Sequence, residues 1–131
     1  MKRLLVLLLA VSCCFVYAAK KSVTLGKPSE YTILIPEKAG KQEIYSANLL
    51  AKYMEKIYKT KVPIVQEGTP VNGNVISVGE TALAKKNGFT AELKPQGYEF
   101  SVKGKDLFIR GGYPGPLNGV ISYLQEDLGC R

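Results

Sequence analysis

Between residues 41 and 58 apolar side chains recur at Ile44, Ala47, Leu50, Ala51, Met54, Ile57 and Tyr58. That three-and-four spacing predicts an α-helix with one buried stripe. The opposite side carries Lys41, Glu43, Lys52, Glu55, Lys56 and Lys59; Lys52 and Lys56 are like charges one turn apart, and Glu55 with Lys59 is a favourable pair. Ahead of this helix, residues 23–25 and 31–35 are β-branched runs separated by Gly26-Lys27-Pro28-Ser29, which predicts two strands and a turn, with Pro36 ending the second strand. Beyond it, residues 62–65 and 74–78 read as strands of one sheet, and Val75-Ile76-Ser77-Val78 is apolar enough for a central position.

A short helix is expected at residues 82–86, with Glu80 or Thr81 near its cap and Asn87-Gly88 as its stop. Residues 98–102 and 106–110 flank Lys103-Gly104-Lys105 as a hairpin, Tyr98, Phe100 and Val102 alternating with Glu99 and Ser101. A second long helix is expected over residues 117–128, with Leu117, Val120, Ile121, Leu124 and Leu128 inward and Gly129 at its end. This order predicts a single α+β domain: a mixed sheet of five to six strands packed by two main helices plus one short helix.

The length of 131 residues allows one ordinary domain, and 46% hydrophobic with 22% charged residues is a globular composition. A catalytic barrel of ~250 residues does not fit within it. The chain has no histidine. That removes Ser-His-Asp and Cys-His nucleophiles, histidine metal ligation and the one side chain that ordinarily titrates near neutrality.

Lys2 and Arg3 precede an apolar run at residues 4–11 that continues through Cys13 and Cys14 to Val16, the pattern of a secretory signal peptide. Val16-Tyr17-Ala18 places cleavage after Ala18, or after Ala19, so residues 1–18 are the signal and 19–131 the exported domain. The run is shorter than the ~20 apolar residues of a membrane span. Ala10-Val11-Ser12-Cys13 approximates a lipidation site, but Ala10 is a weak match and the residues after Cys13 stay hydrophobic, which favours release to the periplasm or exterior over anchoring at Cys13. Only Cys130 then remains, so the domain relies on its core and not on an internal disulfide.

Loss of Lys2 and Arg3 takes the formal charge from +7 to +5. The excess is lysine dispersed over turns and polar faces, and Arg110 and Arg131 are the remaining arginines, a pattern that argues against nucleic acid. Gly111-Gly112 between a strand and a helix invites an anion-binding reading, yet Gly111, Gly112, Gly115 and Gly119 have neither dinucleotide nor phosphate-loop spacing. Backbone geometry explains them better, the pair turning out of the strand and Gly115 and Gly119 letting the last helix lie close on the sheet.

Glycoside hydrolysis needs two carboxyl groups about 5 to 10 Å apart. Glu126 and Asp127 diverge by about 100° as helix neighbours, and Glu30, Glu37, Glu67, Glu92 and Glu99 read as solvated charges on turns or strand faces. Tyr113, in its glycine-proline loop, is the aromatic best placed to be exposed for a sugar. Cys130 has no evident cationic partner to lower its pKa and reads as a small buried residue at a domain junction. No catalytic, cofactor-binding or metal-binding residue is assigned.

A Gly stop followed by Cys after an amphipathic helix reads as a chain that continues into another packed element. Several segments in order, Val75-Ile76-Ser77-Val78-Gly79-Glu80-Thr81, Gly97-Tyr98-Glu99-Phe100, Leu107-Phe108-Ile109-Arg110-Gly111-Gly112 and Gly119-Val120 through Leu124 to Leu128-Gly129-Cys130-Arg131, carry a resemblance. Residues 22–131 resemble the non-catalytic N-terminal domain that precedes the barrel in bacterial α-glucuronidases, β-N-acetylhexosaminidases and related secreted glycosidases. The sequence departs from that pattern at Leu117-Asn118-Gly119-Val120, where a small residue, Tyr and Gly are usual, and at Gln125 before Glu126.

The resemblance implies a fold like the second domain of β-hexosaminidases and a catalytic barrel of the same full-length chain beyond Arg131, so no catalytic role transfers to these residues. It makes Gly129, Cys130 and Arg131 candidate barrel-packing positions, with Tyr113 a candidate for packing or sugar contact. Carbohydrate is the other expected partner, with no cofactor, no nucleic acid and no stable membrane span. The alternative expectation is a stand-alone exported carbohydrate-binding or cell-envelope interaction module that uses Tyr113. A small enzyme complete in itself fits least, given the scattered carboxylates.

Overall fold

A computed structural model describes residues 27–129. The signal segment with Cys13, the strand expected at residues 23–25, and Cys130 and Arg131 lie outside the described residues. From a 3-10 turn at Pro28–Glu30 the chain enters β1 (Tyr31–Ile35), α1 (Lys41–Tyr58), β2 (Ile64–Gln66), β3 (Asn74–Val78), α2 (Ala82–Lys86), β4 (Tyr98–Lys103), β5 (Asp106–Gly111) and α3 (Leu117–Glu126). One five-stranded sheet has the order β2-β1-β3-β5-β4. Neighbours from β2 through β5 are parallel, and β4 pairs antiparallel with β5. The domain is thus α+β, with a mixed sheet, two main helices and one short helix, as the pattern predicts.

Parallel strands are covered on both faces, so their apolar runs do not alternate with solvent. On the first face, Ile33, Ile76, Leu107 and Ile109 meet Ala47, Leu50 and Met54 of α1 and Val120, Tyr123 and Leu124 of α3 in one core. Leu34, Val75, Ser77 and Phe108 point to the second face and are buried there. The short helix α2 and the segment after it cover that face. Thr81 caps α2, its hydroxyl accepting from the Ala84 N–H at 3.0 Å and bonding the Ser77 hydroxyl at 2.6 Å. Phe89 stacks on Phe108 with ring centroids 4.7 Å apart.

Three details differ from expectation. Ile44, Ile57 and Tyr58 are substantially exposed, and the stripe that is buried runs through Ser46, Ala47, Leu50 and Met54. An 18-residue helix is about 27 Å long against about 17 Å for a five-residue strand, so its ends overhang the sheet. The second sheet strand begins at Ile64 and not at Val62, because Pro63 has no N–H to give to a ladder; its carbonyl still accepts from the Ile33 N–H at 2.8 Å. Finally, α3 ends at Glu126, and Tyr123, 1% exposed, takes an inner position while Leu117 and Ile121 are half-buried.

The close seating of α3 depends on Gly119. A Cβ there would lie 2.8 Å from Ile109 Cγ2 and 3.0 Å from the Arg110 carbonyl oxygen. Among the described residues, no helix is long and apolar enough to cross a membrane.

Two predictions follow from this packing. Gly119→Ala should force α3 off β5 and cost about 1–3 kcal/mol, the usual range for overpacking, measured by urea unfolding. Burial, with Tyr58, Asp127 and Tyr31 adding, pushes the Tyr123 phenol well above its ordinary value. The native state therefore keeps this proton where the unfolded chain loses it, so the stabilisation is complete below about pH 10 and declines as pH rises further. Melting temperatures followed from about pH 9 to about pH 11.5 should fall more steeply for the parent than for Tyr123→Phe.

Candidate binding cleft

In sheets with parallel strands, a crevice opens outside the carboxyl ends where adjacent strands send their chains to opposite faces. Here β1 leads into α1 on the first face and its neighbour β3 leads into α2 on the second. A cavity of about 480 Å³ lies at this point, lined by residues 40–43 at the start of α1, by Gly79-Glu80 and by residues 111–116 after β5. A second cavity, about 370 Å³, shares Glu80, Gly111, Gly112 and Tyr113 with the first and extends to Thr90 and Glu92.

The Gly40 N–H donates to Glu43 Oε1 at 2.9 Å, which closes the first turn of α1. The second oxygen of Glu43 rests against Gly79, where a Cβ would collide with it and where φ is +94°. Only glycine meets both conditions. Glu43 is therefore half-buried in the cleft wall and does not sit on the solvent side of α1 as its sequence position suggested.

Glu80 is fixed from behind by Arg110. The Arg110 side chain is only 3% exposed. Its Nε donates to both Glu80 oxygens at 3.2 and 3.3 Å, one terminal nitrogen to Glu99, and the other to the Ala91 carbonyl at 2.6 Å. A buried guanidinium is tolerated only when paired and hydrogen-bonded in this way. Glu99 is consequently no solvated charge, and Glu67 is not one either: its carboxylate accepts from the N–H groups of Ala82 and Leu83 at 2.7 and 3.1 Å, at the positive end of α2.

Tyr113 is 81% exposed and borders both cavities. Its backbone is held, the carbonyl accepting from the Gln96 N–H at 2.9 Å, and its peptide bond to Pro114 is cis. Gln42 also lines the larger cavity, and its side-chain oxygen is buried without a hydrogen-bond partner. The glycine pair has a packing explanation, since a Cβ at Gly111 would strike the Gly115 carbonyl and one at Gly112 the Lys94 carbonyl.

The other candidate positions are not gathered here. Gly129 is exposed past the far end of α3, a ten-residue helix about 15 Å long. Glu126 and Asp127 share that far end. Among the described residues, no group of three or more His, Cys, Asp and Glu is placed to hold a metal ion. A larger groove, about 700 Å³, runs between α1 and the edge strand β2, where the charged side chains Lys52, Glu55 and Lys61 are exposed.

The Arg110 cluster was missed in the sequence although one signal existed. The hairpin closes on a two-residue turn, Gly104-Lys105, with Gly104 at φ +66° and Lys103 opposite Asp106. Counting outward from that turn sets Glu99 against Arg110. A three-residue turn, as the sequence pattern suggested, shifts the register and hides the pair.

Comparison with family models, with curated proteins and with solved structures found no match to the chain. The cleft is therefore read from its own chemistry: a carboxylate held in one orientation, an unsatisfied amide oxygen and an exposed aromatic ring. The ion cluster predicts an order of stabilities. Glu80→Ala with Glu99→Ala leaves a buried cation unpaired and should cost about 3–5 kcal/mol. Arg110→Met leaves carboxylates that are 46% and 36% exposed and open to water, and should cost clearly less in the same denaturant titration.

Proposed function

We propose that residues 19–131 are the non-catalytic N-terminal accessory domain of an exported glycoside hydrolase, α-glucuronidase-like or β-N-acetylhexosaminidase-like, and that the domain seats the catalytic barrel. The ordered segments from Val75 to Arg131 that resemble such domains support this reading. The observation that carries it is the surface where the described chain leaves α3. There Ile57 and Tyr58 are 39% and 36% exposed at the overhanging end of α1. Tyr58 lies close enough to Tyr123 to raise its pKa, and the N–H groups of Asp127 and Leu128 bond back to the Tyr123 carbonyl. Tyr58 thus stands near the segment that would enter a following domain, with Ile57 before it in α1, and a partly exposed aromatic side chain is common interface material.

The carboxylates agree with a non-catalytic role. Among the described residues, Glu80 and Glu99 are tied to Arg110, Glu67 to α2 and Glu43 to Gly40, so these carboxylates serve the fold.

Reading the source gene past the codon for Arg131 tests the proposal. The expected result is a frame that continues for a barrel's length of several hundred residues; a stop codon at that point would overturn it. In the continuing protein, Ile57→Asp with Tyr58→Asp should loosen the domain, seen as faster limited proteolysis after residue 129, with hydrolysis by the barrel retained. Unchanged proteolysis would remove the proposed seat.

A further inference from the structure

The cleft at the carboxyl ends of β1, β3 and β5 carries an assignment of its own, independent of any domain that follows. We propose that it binds a neutral oligosaccharide, with one sugar face against Tyr113 and the hydroxyls on Glu80.

Size and shape come first. Binding cavities for small molecules hold roughly 300–1,000 Å³, are mostly apolar, and carry a few polar groups that fix orientation. The larger cavity here, about 480 Å³, is mostly apolar, and the smaller, about 370 Å³, is mostly polar; they meet along Glu80 and Tyr113. Together they suit an extended ligand of two or more rings better than one compact molecule. The shared wall is the backbone of Gly111 and Gly112, which presents no side chain to obstruct a chain passing over it.

The polar groups point to hydroxyls. Glu80 is 46% exposed, yet its carboxylate is oriented by a guanidinium that is 3% exposed. Such an acceptor is already in place before a ligand arrives and gains charge-assisted hydrogen bonds at little entropic cost. Arg110 uses one nitrogen on Glu80, so lone pairs remain toward the cleft. The Glu80 carboxylate takes donors, and a sugar hydroxyl supplies one. Tyr113, with its ring outward and its backbone tied to Gln96, offers the amphipathic surface on which the C–H face of a pyranose packs.

Charge selects among sugars. Glu43, Glu80 and Glu92 line the two cavities, Lys41 is at the rim, and the charge of Arg110 is already met by Glu80 and Glu99. The local balance is acidic although the chain as a whole carries +7. A uronate or a phosphate would face these carboxylates, which sets an anionic sugar aside. The same carboxylates set aside an anion at the start of α3.

The test uses the exported chain, titrated by calorimetry with neutral trisaccharides of glucose, xylose, mannose and galactose, and with a trisaccharide of galacturonic acid. At least one neutral trisaccharide should bind saturably. Tyr113→Ala should weaken it by about tenfold or more, and Glu80→Gln by several-fold, the loss of one charge-assisted hydrogen bond. Tyr113 is exposed, so its variant keeps the fold, and an unchanged melting temperature verifies this. Absence of binding to every neutral trisaccharide, binding of the uronate alone, or equal binding by Tyr113→Ala would each overturn the proposal. These results do not depend on the codon after Arg131, so this proposal and the accessory-domain reading can fail separately.

Discussion

A guanidinium gives up water only for fixed partners, and the three segments around Arg110 are arranged to provide them. The residue sits on β5; Glu99 comes from the neighbouring strand, Glu80 from the turn after β3, and the Ala91 carbonyl from the long connection between α2 and β4. An apolar side chain of the same volume could fill that space with equal or greater stability. What the cluster contributes is a single arrangement. It ties the irregular connection to the second face of the sheet and holds a carboxylate at the seam of two cavities. Without those ties the second face would rest on a five-residue helix and the stacking of Phe89 on Phe108.

The rest of the architecture follows from covering that sheet. Two long helices occupy the first face, and α3 approaches β5 as closely as Gly119 permits. The N-terminal ends of α1 and α3 are therefore brought to the carboxyl ends of the strands, where Gln42, Glu43 and the loop bearing Tyr113 enclose the cleft. At the opposite end α1 overhangs the strands and leaves Ile57 and Tyr58 partly exposed.

Much of this was legible along the chain. The bounds of β1, α1, β3 and α2 follow from local chemistry: β-branched runs, a helical stripe, the Thr81 cap and the stops at Pro36 and Gly88. Such features are encoded by residues a few positions apart, and the pattern that marks them is the interaction that makes them. Where the reading of α1 and of Glu67 slipped, a distant partner had decided the outcome. The stripe of α1 turned toward Ser46 because of what α3 and the sheet offered it, and Glu67 found its role at the start of a helix that begins 15 residues later.

Among the described residues, the sequence by itself determined the elements, their order, the single α+β domain and the exposure of Tyr113. Strand order, the shared burial of Arg110 with Glu80 and Glu99, and the meeting of three strand ends in one cleft were decided by the tertiary structure alone. The reason is one of range. Periodicity and capping act within a turn or two of chain, whereas Glu80 and Arg110 are separated by 30 residues and become neighbours only when β3 and β5 pair.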